Sequence, residues 1–292
     1  MRSLLFVPGD SERKLEKALD SGADLLILDL EDSVAPPSKP RARQLSAEFL
    51  KSRSGSAGPT LYVRINDLAS GLTDDDLAAI MPAAPKGIML PKTDSADDVT
   101  LLSARLRVHE ARNGLTDGVT SILPIITETP AGLLAAHTHA RPVPRLSGLT
   151  WGAEDLSAVV GARSPRDEEG RYTAVFQHAR TITLLAAAAA GVAAVDTVFP
   201  AFRDEAGFRR ECVAAERDGF TAKMAIHPAQ VPVINEVFTP SAEAVANARS
   251  VIEAFAQVGD AGVVAIDGKM FDRPHLRLAE RLLRRAAAAG RA

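Results

Sequence analysis

Two carboxylates follow consecutive apolar runs of the sequence, at positions suited to binding a cation. Glu128 stands in ITETPAG and Asp155 in WGAEDLS. Two acidic side chains with few other protein ligands suit Mg²⁺, or Mn²⁺ in its place, because such ions keep several waters or substrate oxygens. Either residue alone fits equally well as the cap of the helix that follows it. Together, at the ends of neighbouring predicted strands, they favour a metal site.

An arginine and a group of acids form a second candidate set. Arg64 lies in YVRIN, and a guanidinium can hold a small carboxylate through two parallel hydrogen bonds. The stretch LDLEDSV at 28–34 places Asp29, Glu31 and Asp32 at the end of another apolar run, where an unpaired charge is costly. Glu31 or Asp32 can pair with Arg64, and can also orient it for substrate while hydrogen-bonding metal-bound waters.

Histidines and nucleophiles give weaker signals. His137 and His139 stand two apart, so on a predicted helix they face different directions, and we set a zinc site aside. His227 precedes Pro228 near the end of the last apolar run, where a hydrogen-bonded structural histidine is the simpler interpretation. The sequence contains no GxSxG motif, so nucleophilic hydrolase chemistry has little local support.

Eight apolar runs, each followed by a segment of helical spacing, must position these residues. They are SLLFVPG (3–9), LLILDLE (25–31), TLYVRIN (60–66), GIMLPK (87–92), SILPIITET (121–129), RLSGLTWG (145–152), AVDTVFP (194–200) and AKMAIHP (222–228). Their near-continuous hydrophobicity indicates strands covered on both faces, as in a parallel sheet.

Polar residues collect at the carboxyl ends of these runs, which is where barrel enzymes build their active sites. An open doubly wound sheet would instead concentrate its chemistry at one switch point, and no GxGxxG or P-loop pattern follows any run. The sequence therefore predicts an α/β fold, a (β/α)8 TIM barrel with a C-terminal helical or lid extension.

We expect two regions, the barrel over 1–235 and a C-terminal arm and lid over 236–292. The arm contains a helical stretch near 240–257, a short strand VVAI, the turn DGKMFDRP and a final helix. Such an arm could cap the bottom of the barrel, act as a lid, or be exchanged with a neighbouring subunit.

Composition excludes several classes of protein. The 292-residue chain has a net charge of −3 with scattered Lys and Arg, which argues against a nucleic-acid binder. A single Cys212 excludes an internal disulfide framework, and MRSLLFVPG lacks a signal-peptide pattern, so we expect a cytoplasmic protein. The alanine-rich apolar stretch LLAAAAAGVAAV (184–195) is shorter than the ~18 residues of a membrane span. It predicts a packed helix that leads into the next strand.

An ordered set of motifs carries a family resemblance. The segments are RSLLFVPGDSERKLEKAL, DLLILDLEDSVAPPSKPRAR, YVRIN, MLPK, ITETPAG, WGAEDLSA, KMAIHP and GKMFD. In this order they resemble the citrate lyase beta subunit family within the HpcH/HpaI aldolase superfamily, which includes malyl-CoA and citramalyl-CoA lyases. The resemblance covers nearly the whole chain.

The resemblance implies roles for individual residues. Glu128 and Asp155 would bind Mg²⁺, and Arg64 would hold the 2-oxo or 2-hydroxy acid portion of the substrate. Glu31 and Asp32 would surround Arg64 and the metal-bound waters. The backbone at Gly152, Ala153 and Glu154 would bind the substrate carboxylate. Asp272 of an adjacent subunit would act as an acid. Coenzyme A would be contacted by Phe6, Arg13, Lys17 and Lys39.

The implied activity is a Mg²⁺-dependent carbon–carbon lyase that cleaves a malyl-CoA or citramalyl-CoA type of 3-hydroxyacyl-CoA into a short acyl-CoA and a 2-oxo acid. A malyl-CoA thioesterase or malate synthase-like activity, and a citryl-acyl-carrier lyase beta subunit, remain open. A sensing or assembly subunit without turnover is disfavoured by the complete set Glu128, Asp155, Arg64 and Asp272. The expected partners are the acyl-CoA, the small acid and further copies of the chain, as in trimeric relatives, with no nucleic acid and no membrane.

Overall fold

Eight parallel strands carry the candidate residues. The structure, a computed structural model, describes residues 1–259 and 262–290. The strands are β1 (Ser3–Pro8), β2 (Leu25–Asp29), β3 (Thr60–Arg64), β4 (Gly87–Leu90), β5 (Ser121–Pro124), β6 (Gly148–Leu149), β7 (Ala193–Asp196) and β8 (Ala222–Ala225). Each lies within or at the edge of one of the eight apolar runs identified from the sequence.

The strand order closes the sheet on itself. Strands run β5-β4-β3-β2-β1-β8-β7-β6 in hydrogen-bonded order, and parallel bridges Ile122–Leu146 and Ile125–Thr150 join the β5 segment to the β6 segment. With helices following the strands, this is the (β/α)8 barrel that the sequence predicted. In a parallel barrel all carboxyl ends open at one mouth, so residues that follow different strands can meet there.

Alternate residues of the strands fill the barrel interior. The inner core consists of Leu4, Leu25, Ile27, Tyr62, Met89, Leu123, Ile125, Val195, Ala222 and Met224. The intervening residues of each strand face outward against the helices, so a charged residue inside an apolar run, such as Lys223 between Ala222 and Met224, lies in the wall of the barrel and not in its interior.

Helices surround the sheet. They are α1 (Glu12–Ala18), α2 (Lys39–Ser52), α3 (Thr73–Ile80), α4 (Ala96–Arg112), α5 (Pro130–Ala135), α6 (Ala153–Val160), α7 (Ala174–Ala190) and α8 (Glu205–Asp218), followed by α9 (Val231–Val237). The alanine-rich stretch ends α7 at Gly191, whose φ of 72° is the left-handed conformation that glycine adopts at a helix end, and then enters β7.

The chain divides into two compact units, one from Arg2 to Ile234 and one beginning at Asn235. The second contains α10 (Ala242–Val258), β9 (Val263–Ile266), β10 (Lys269–Asp272) and α11 (Arg273–Ala288). β9 and β10 form an antiparallel hairpin around Asp267 and Gly268, both with positive φ. The sequence predicted β9 but treated β10 as turn, although Asp-Gly between short runs is a hairpin signal.

Among the described residues, no helix is both long enough and apolar enough to cross a membrane.

Candidate active site

Asp29 and Arg64 form the first pair at the barrel mouth. They are the last residues of β2 and β3 and lie opposite each other in the parallel register. Arg64 Nε and Nη2 donate to Asp29 Oδ1 and Oδ2, each at 2.7 Å. Burial alone would raise the pKa of the Asp29 carboxyl, but the Arg64 guanidinium holds it below its ordinary value. The chief partner of Arg64 is therefore Asp29, in addition to the pairing with Glu31 or Asp32 considered from the sequence.

Glu31 and Asp32 also reach Arg64, less closely. Arg64 Nη1 lies 2.8 Å from Glu31 Oε2 and 3.9 Å from Asp32 Oδ2. Within the described chain, Glu31 Oε2 has no hydrogen-bond donor, so its contact with Arg64 is an ion pair without hydrogen-bond geometry. Burial raises the pKa of Glu31 to about 7, although Arg64 and Lys92 favour its charged form. The Asp32 side chain is 56% exposed.

Lys92 is a site residue to which sequence reasoning assigned no role. It follows β4 with a φ of 51°, a left-handed conformation that is uncommon for a residue other than glycine. Its backbone N–H donates to Glu128 Oε2 at 2.6 Å. Its Nζ contacts Glu31 and lies 3.3 Å from Asp155 Oδ1 and 3.5 Å from Asp32 Oδ2. The polar ending LPK of the fourth run was the available signal.

Glu128 lies four residues beyond β5 and is almost fully buried. It is not a helix cap, because Thr129 caps α5 by accepting the Gly132 N–H. Gly152 makes room for Glu128, since a Cβ on that glycine would lie 2.5 Å from Glu128 Cγ. Burial and, to a lesser extent, the nearby Asp155 carboxylate raise the pKa of Glu128 to about 8. A buried carboxylate is therefore held beside a second one.

Asp155 occupies the first turn of α6, after Gly152 at the N-cap. Its side chain is 30% exposed and meets Lys92 Nζ. The intervening Ala153 is buried and Glu154 is exposed, so these residues bring mainly their backbone to the start of the helix, where N–H groups favour anions. The structure thus brings Asp155 and Glu128 to opposite ends of the same Lys92 residue.

Seven residues make up what we call the mouth cluster: Asp29, Glu31, Asp32, Glu128, Asp155, Arg64 and Lys92. Five carboxylates here share two cationic side chains. This excess of negative charge, with oxygen donors at Glu128 and Asp155, fits a hard divalent cation. Among the described residues, no three His, Cys, Asp or Glu side chains are arranged to hold a metal ion, so such an ion would rely on few protein oxygens plus water or substrate.

The residues implied for coenzyme A lie in different surroundings. Phe6 is half-buried with its ring 4.8 Å from the Arg64 guanidinium. Arg13 and Lys17 are exposed on α1. Lys39 Nζ donates internally, to the carbonyls of residues 30 and 31 and to Asn66 Oδ1 at 2.6 Å.

Asp272 ends β10 in the C-terminal unit and caps α11. Its carboxylate lies 2.6 Å from His275 Nδ1. This hydrogen bond lowers the pKa of Asp272 below its ordinary value. A proton donor at neutral pH needs a raised pKa, so the role of Asp272 as an acid stays a prediction.

The histidines behave as structural residues. His139 is fully buried in a 3₁₀ turn, and burial lowers its pKa to about 4, whereas His137 in the same turn is exposed. His227 Nδ1 accepts the Ala229 N–H at 3.2 Å, and its ring stacks on Phe202 with centroids 4.7 Å apart.

Comparison with known proteins identifies the family. A model of the HpcH/HpaI aldolase/citrate lyase family matches residues 2–228. A (3S)-malyl-CoA thioesterase of Cereibacter sphaeroides is 36% identical over 290 residues, which cover 98% of this chain and 95% of the relative. A citrate lyase subunit beta-like protein of Mycobacterium tuberculosis is 37% identical over 288 residues, covering 98% and 95%.

A solved structure gives the same relationship in three dimensions. The crystal structure of CitE from Mycobacterium tuberculosis in complex with magnesium, acetoacetate and coenzyme A has a TM-score of 0.79 to this chain at 35% identity, covering 98% of each chain. The family model spans the barrel, and the relatives extend the likeness into the C-terminal unit. The chain is therefore an enzyme of the HpcH/HpaI aldolase/citrate lyase family.

Proposed function

We propose that the protein is a Mg²⁺-dependent carbon–carbon lyase that cleaves a 3-hydroxyacyl-CoA of the malyl-CoA or citramalyl-CoA type. The observation that carries the proposal is that the Glu128 and Asp155 carboxylates both meet Lys92, in a mouth cluster that also contains Arg64 and has more acids than bases. Family membership and the magnesium, acetoacetate and coenzyme A in the related crystal structure support it.

Glu128 and Asp155 would hold the metal. When bound, Mg²⁺ lowers the free energy of negative charge that develops on the substrate's hydroxyl and carboxylate oxygens. Lys92 keeps these ligands in place, since its N–H fixes one oxygen of Glu128 and its ammonium lies beside Asp155. Glu31 and Asp32 would orient metal-bound waters and Arg64.

Arg64 would stabilise the 2-oxo acid. Asp29 holds the Nε and Nη2 side of the guanidinium, so an incoming carboxylate would share Nη1 with Glu31, whose Oε2 lies 2.8 Å from that nitrogen. Such a charge-assisted contact is strongest in a buried site, and the Arg64 side chain is only 11% exposed. The backbone at Gly152, Ala153 and Glu154 would contribute N–H groups to the same carboxylate.

In the cleavage step a carboxylate of the mouth cluster takes the proton of the substrate hydroxyl, whose oxygen becomes the carbonyl oxygen of the 2-oxo acid. The C2–C3 bond breaks, and its electron pair passes into the enolate of the short acyl thioester. That enolate takes up a proton, the role that the family resemblance implies for Asp272 of an adjacent subunit. The products are a 2-oxo acid and an acyl-CoA, and the reverse reaction is a Claisen-type condensation.

For the thioester carrier we propose coenzyme A. The related crystal structure contains coenzyme A, and Arg13 and Lys17 present exposed cationic groups suited to phosphates. Phe6 and Lys39 have partners inside the barrel unit, so we expect smaller effects from replacing them.

A second candidate is a malyl-CoA thioesterase, favoured by the name and 36% identity of the Cereibacter sphaeroides relative. Thioester hydrolysis needs a water to attack the acyl carbonyl, before or after carbon–carbon cleavage. The two activities differ in their products.

A panel of hydroxyacyl-CoA thioesters, incubated with the purified protein and Mg²⁺ and analysed by mass spectrometry, tests the proposal. We expect a short acyl-CoA and a 2-oxo acid from malyl-CoA or citramalyl-CoA. Recovery of free coenzyme A and the intact hydroxy acid would show thioesterase activity and contradict the lyase proposal. Glu128→Gln is the site control, and a variant with unchanged Mg²⁺-dependent turnover would contradict the metal assignment.

A further inference from the structure

A second group of buried charges lies in the wall of the barrel, and the proposed reaction does not use it. Lys223 of β8 is completely buried, and its Nζ donates to Asp196 Oδ2 and Glu211 Oε1, each at 2.8 Å. Asp196 is the last residue of β7, and Glu211 belongs to α8. We call these residues, with Arg166, Arg180 and Asp218, the wall cluster.

The wall cluster is electrically balanced. Arg166 Nη2 lies 2.5 Å from Glu211 Oε2, and Arg180 lies 3.4 Å from Asp196 Oδ1 and 2.6 Å from Asp218 Oδ2. Three acids thus meet three bases. Burial alone would lower the Lys223 pKa, but Asp196 and Glu211 hold it above its ordinary value, so Lys223 stays charged.

One hydrogen bond connects the wall cluster to the chain segment that carries the proposed metal ligand. Asp196 Oδ1 accepts the Trp151 Nε1–H at 2.8 Å, and the indole is fully buried. Trp151 directly precedes Gly152, which approaches Glu128, and stands four residues before Asp155. The indole packs against Tyr172 in a T-shaped arrangement, with ring centroids 4.9 Å apart.

Pairing of this segment with the sheet ends immediately before Trp151. β6 comprises Gly148 and Leu149, and Thr150 continues the pairing, since its N–H donates to the Pro124 carbonyl and its carbonyl accepts the Ile126 N–H. The turn between β6 and α6 must nevertheless place Gly152 against Glu128 at a distance where a Cβ would clash. A buried ion-pair network rarely stabilises a fold more than apolar packing would, whereas it can specify one arrangement of its partners.

We infer that Asp196, held by Lys223, is a positioning residue that fixes the turn between β6 and α6 through Trp151 and so sets the position of Asp155 for the metal. This inference rests on the proposed function. It assigns no chemical step to the wall cluster, and its consequence is a change in metal affinity at a site that none of the wall residues touches.

Trp151→Phe tests the inference, because it removes the N–H donor and keeps an aromatic ring. The readouts are the Kd of Mn²⁺ by electron paramagnetic resonance, the Kd of Mg²⁺ by calorimetry, and thermal unfolding. Changes to residues behind a metal ligand typically weaken metal binding about 10-fold to 100-fold, and we expect at least about tenfold here.

A matched control lies at the other end of the same strand. Arg145 precedes β6 and donates from Nη1 and Nη2 to Glu110 Oε1 and Oε2, both at 2.6 Å, in an equally buried pair. Glu110→Gln should lower the thermal unfolding temperature while leaving the Mn²⁺ Kd close to that of the wild type. Equal Kd values for Trp151→Phe and the wild type would overturn the inference.

A double variant, Asp196→Leu with Lys223→Met, removes the acceptor of the Trp151 N–H without leaving a buried charge unpaired. Trp151 is the single tryptophan of the chain, so its fluorescence reports on this indole alone. We expect a shifted emission together with weakened Mn²⁺ binding; a shifted emission with wild-type binding would overturn the inference. A wild-type protein that binds neither ion would instead refute the proposed function.

Discussion

The mouth cluster and the wall cluster are built from the same side-chain types and differ in charge balance. In the wall cluster three acids meet three bases, and the positive charges of Lys223 and Arg180 hold the Asp196 pKa below its ordinary value against the opposing effect of burial. In the mouth cluster five carboxylates share two cations, and burial raises the pKa of Glu31 to about 7 and of Glu128 to about 8. A balanced cluster fixes structure, whereas an unbalanced one favours binding a cation.

The largest difference should appear on replacing Glu128. Glu128→Gln removes an oxygen ligand, so we expect Mg²⁺-dependent turnover to fall at least about a hundredfold. Without metal the same change should stabilise the protein. Because the pKa of Glu128 rises from 4.5 to about 8 on folding, its burial opposes folding at pH 7 by up to about 3 kcal/mol.

The sign of the pH dependence follows from the same pKa. Below pH 4.5 Glu128 is protonated in both the folded and the unfolded protein, and its burial does not oppose folding. The opposing free energy grows as the pH rises to about 8. Urea unfolding in EDTA, at several pH values, measures it as the difference between wild type and Glu128→Gln. If Glu128→Gln were less stable than the wild type at pH 7, the proposed excess of negative charge in the mouth cluster would be contradicted.

Neutralising an acid of the wall cluster should have the opposite effect on stability. Asp196→Asn leaves the buried Lys223 ammonium with only Glu211 as its carboxylate partner, and we expect a loss of about 3 kcal/mol. Adding Lys223→Met should recover part of this loss, since both charges are then gone. Urea unfolding measures the unfolding free energy of both variants. If Asp196→Asn stabilised the protein, the two clusters would not differ in the way proposed.

Arg64→Lys separates substrate binding from packing. Lysine cannot reproduce the two-pronged contact with Asp29, so we expect the KM for the 2-oxo acid in the condensation direction to rise about tenfold or more. Arg145→Lys breaks an equally two-pronged contact with Glu110 and should lower stability with an unchanged KM. Similar KM values for both variants would argue against Arg64 as the substrate anchor.

Asp32→Asn should have the smallest effect. Its side chain is 56% exposed and lies 3.5 Å from Lys92 and 3.9 Å from Arg64, so solvent screens its charge. We expect a change of about 0.5 kcal/mol or less in unfolding free energy. Steady-state kinetics should show turnover within a few-fold of the wild type, and a loss comparable to Glu128→Gln would give Asp32 a direct role.

The sequence predicted the barrel because the strands are short apolar runs with polar ends, a pattern set by burial on both faces. The poorest match is β6. The apolar run at 145–152 contains a strand only at Gly148–Leu149, because its two glycines weaken strand formation. Asp29 was seen as a buried acid, but its pairing with Arg64 depends on the register of β2 and β3, which composition does not encode.

The charged residues that the sequence analysis did not assign to a cluster also have a physical explanation. The role of Lys92 depends on a backbone φ of 51°, which no motif for a non-glycine residue announces. Asp196 and Lys223 stood inside the apolar runs AVDTVFP and AKMAIHP. A charge within such a run signals a buried partner, yet the partner, Trp151, becomes evident only when neighbouring strands are placed side by side.

Calorimetric titration of Mg²⁺ into the metal-free protein at pH 7, in buffers of different ionisation enthalpy, tests the central claim most directly. The account predicts one site whose occupation releases about one proton, because Glu128, with a pKa of about 8, must ionise to bind the ion. Binding should be lost in Glu128→Gln and kept in Glu110→Gln. Unaltered Mg²⁺ binding in Glu128→Gln, or none in the wild type, would contradict it.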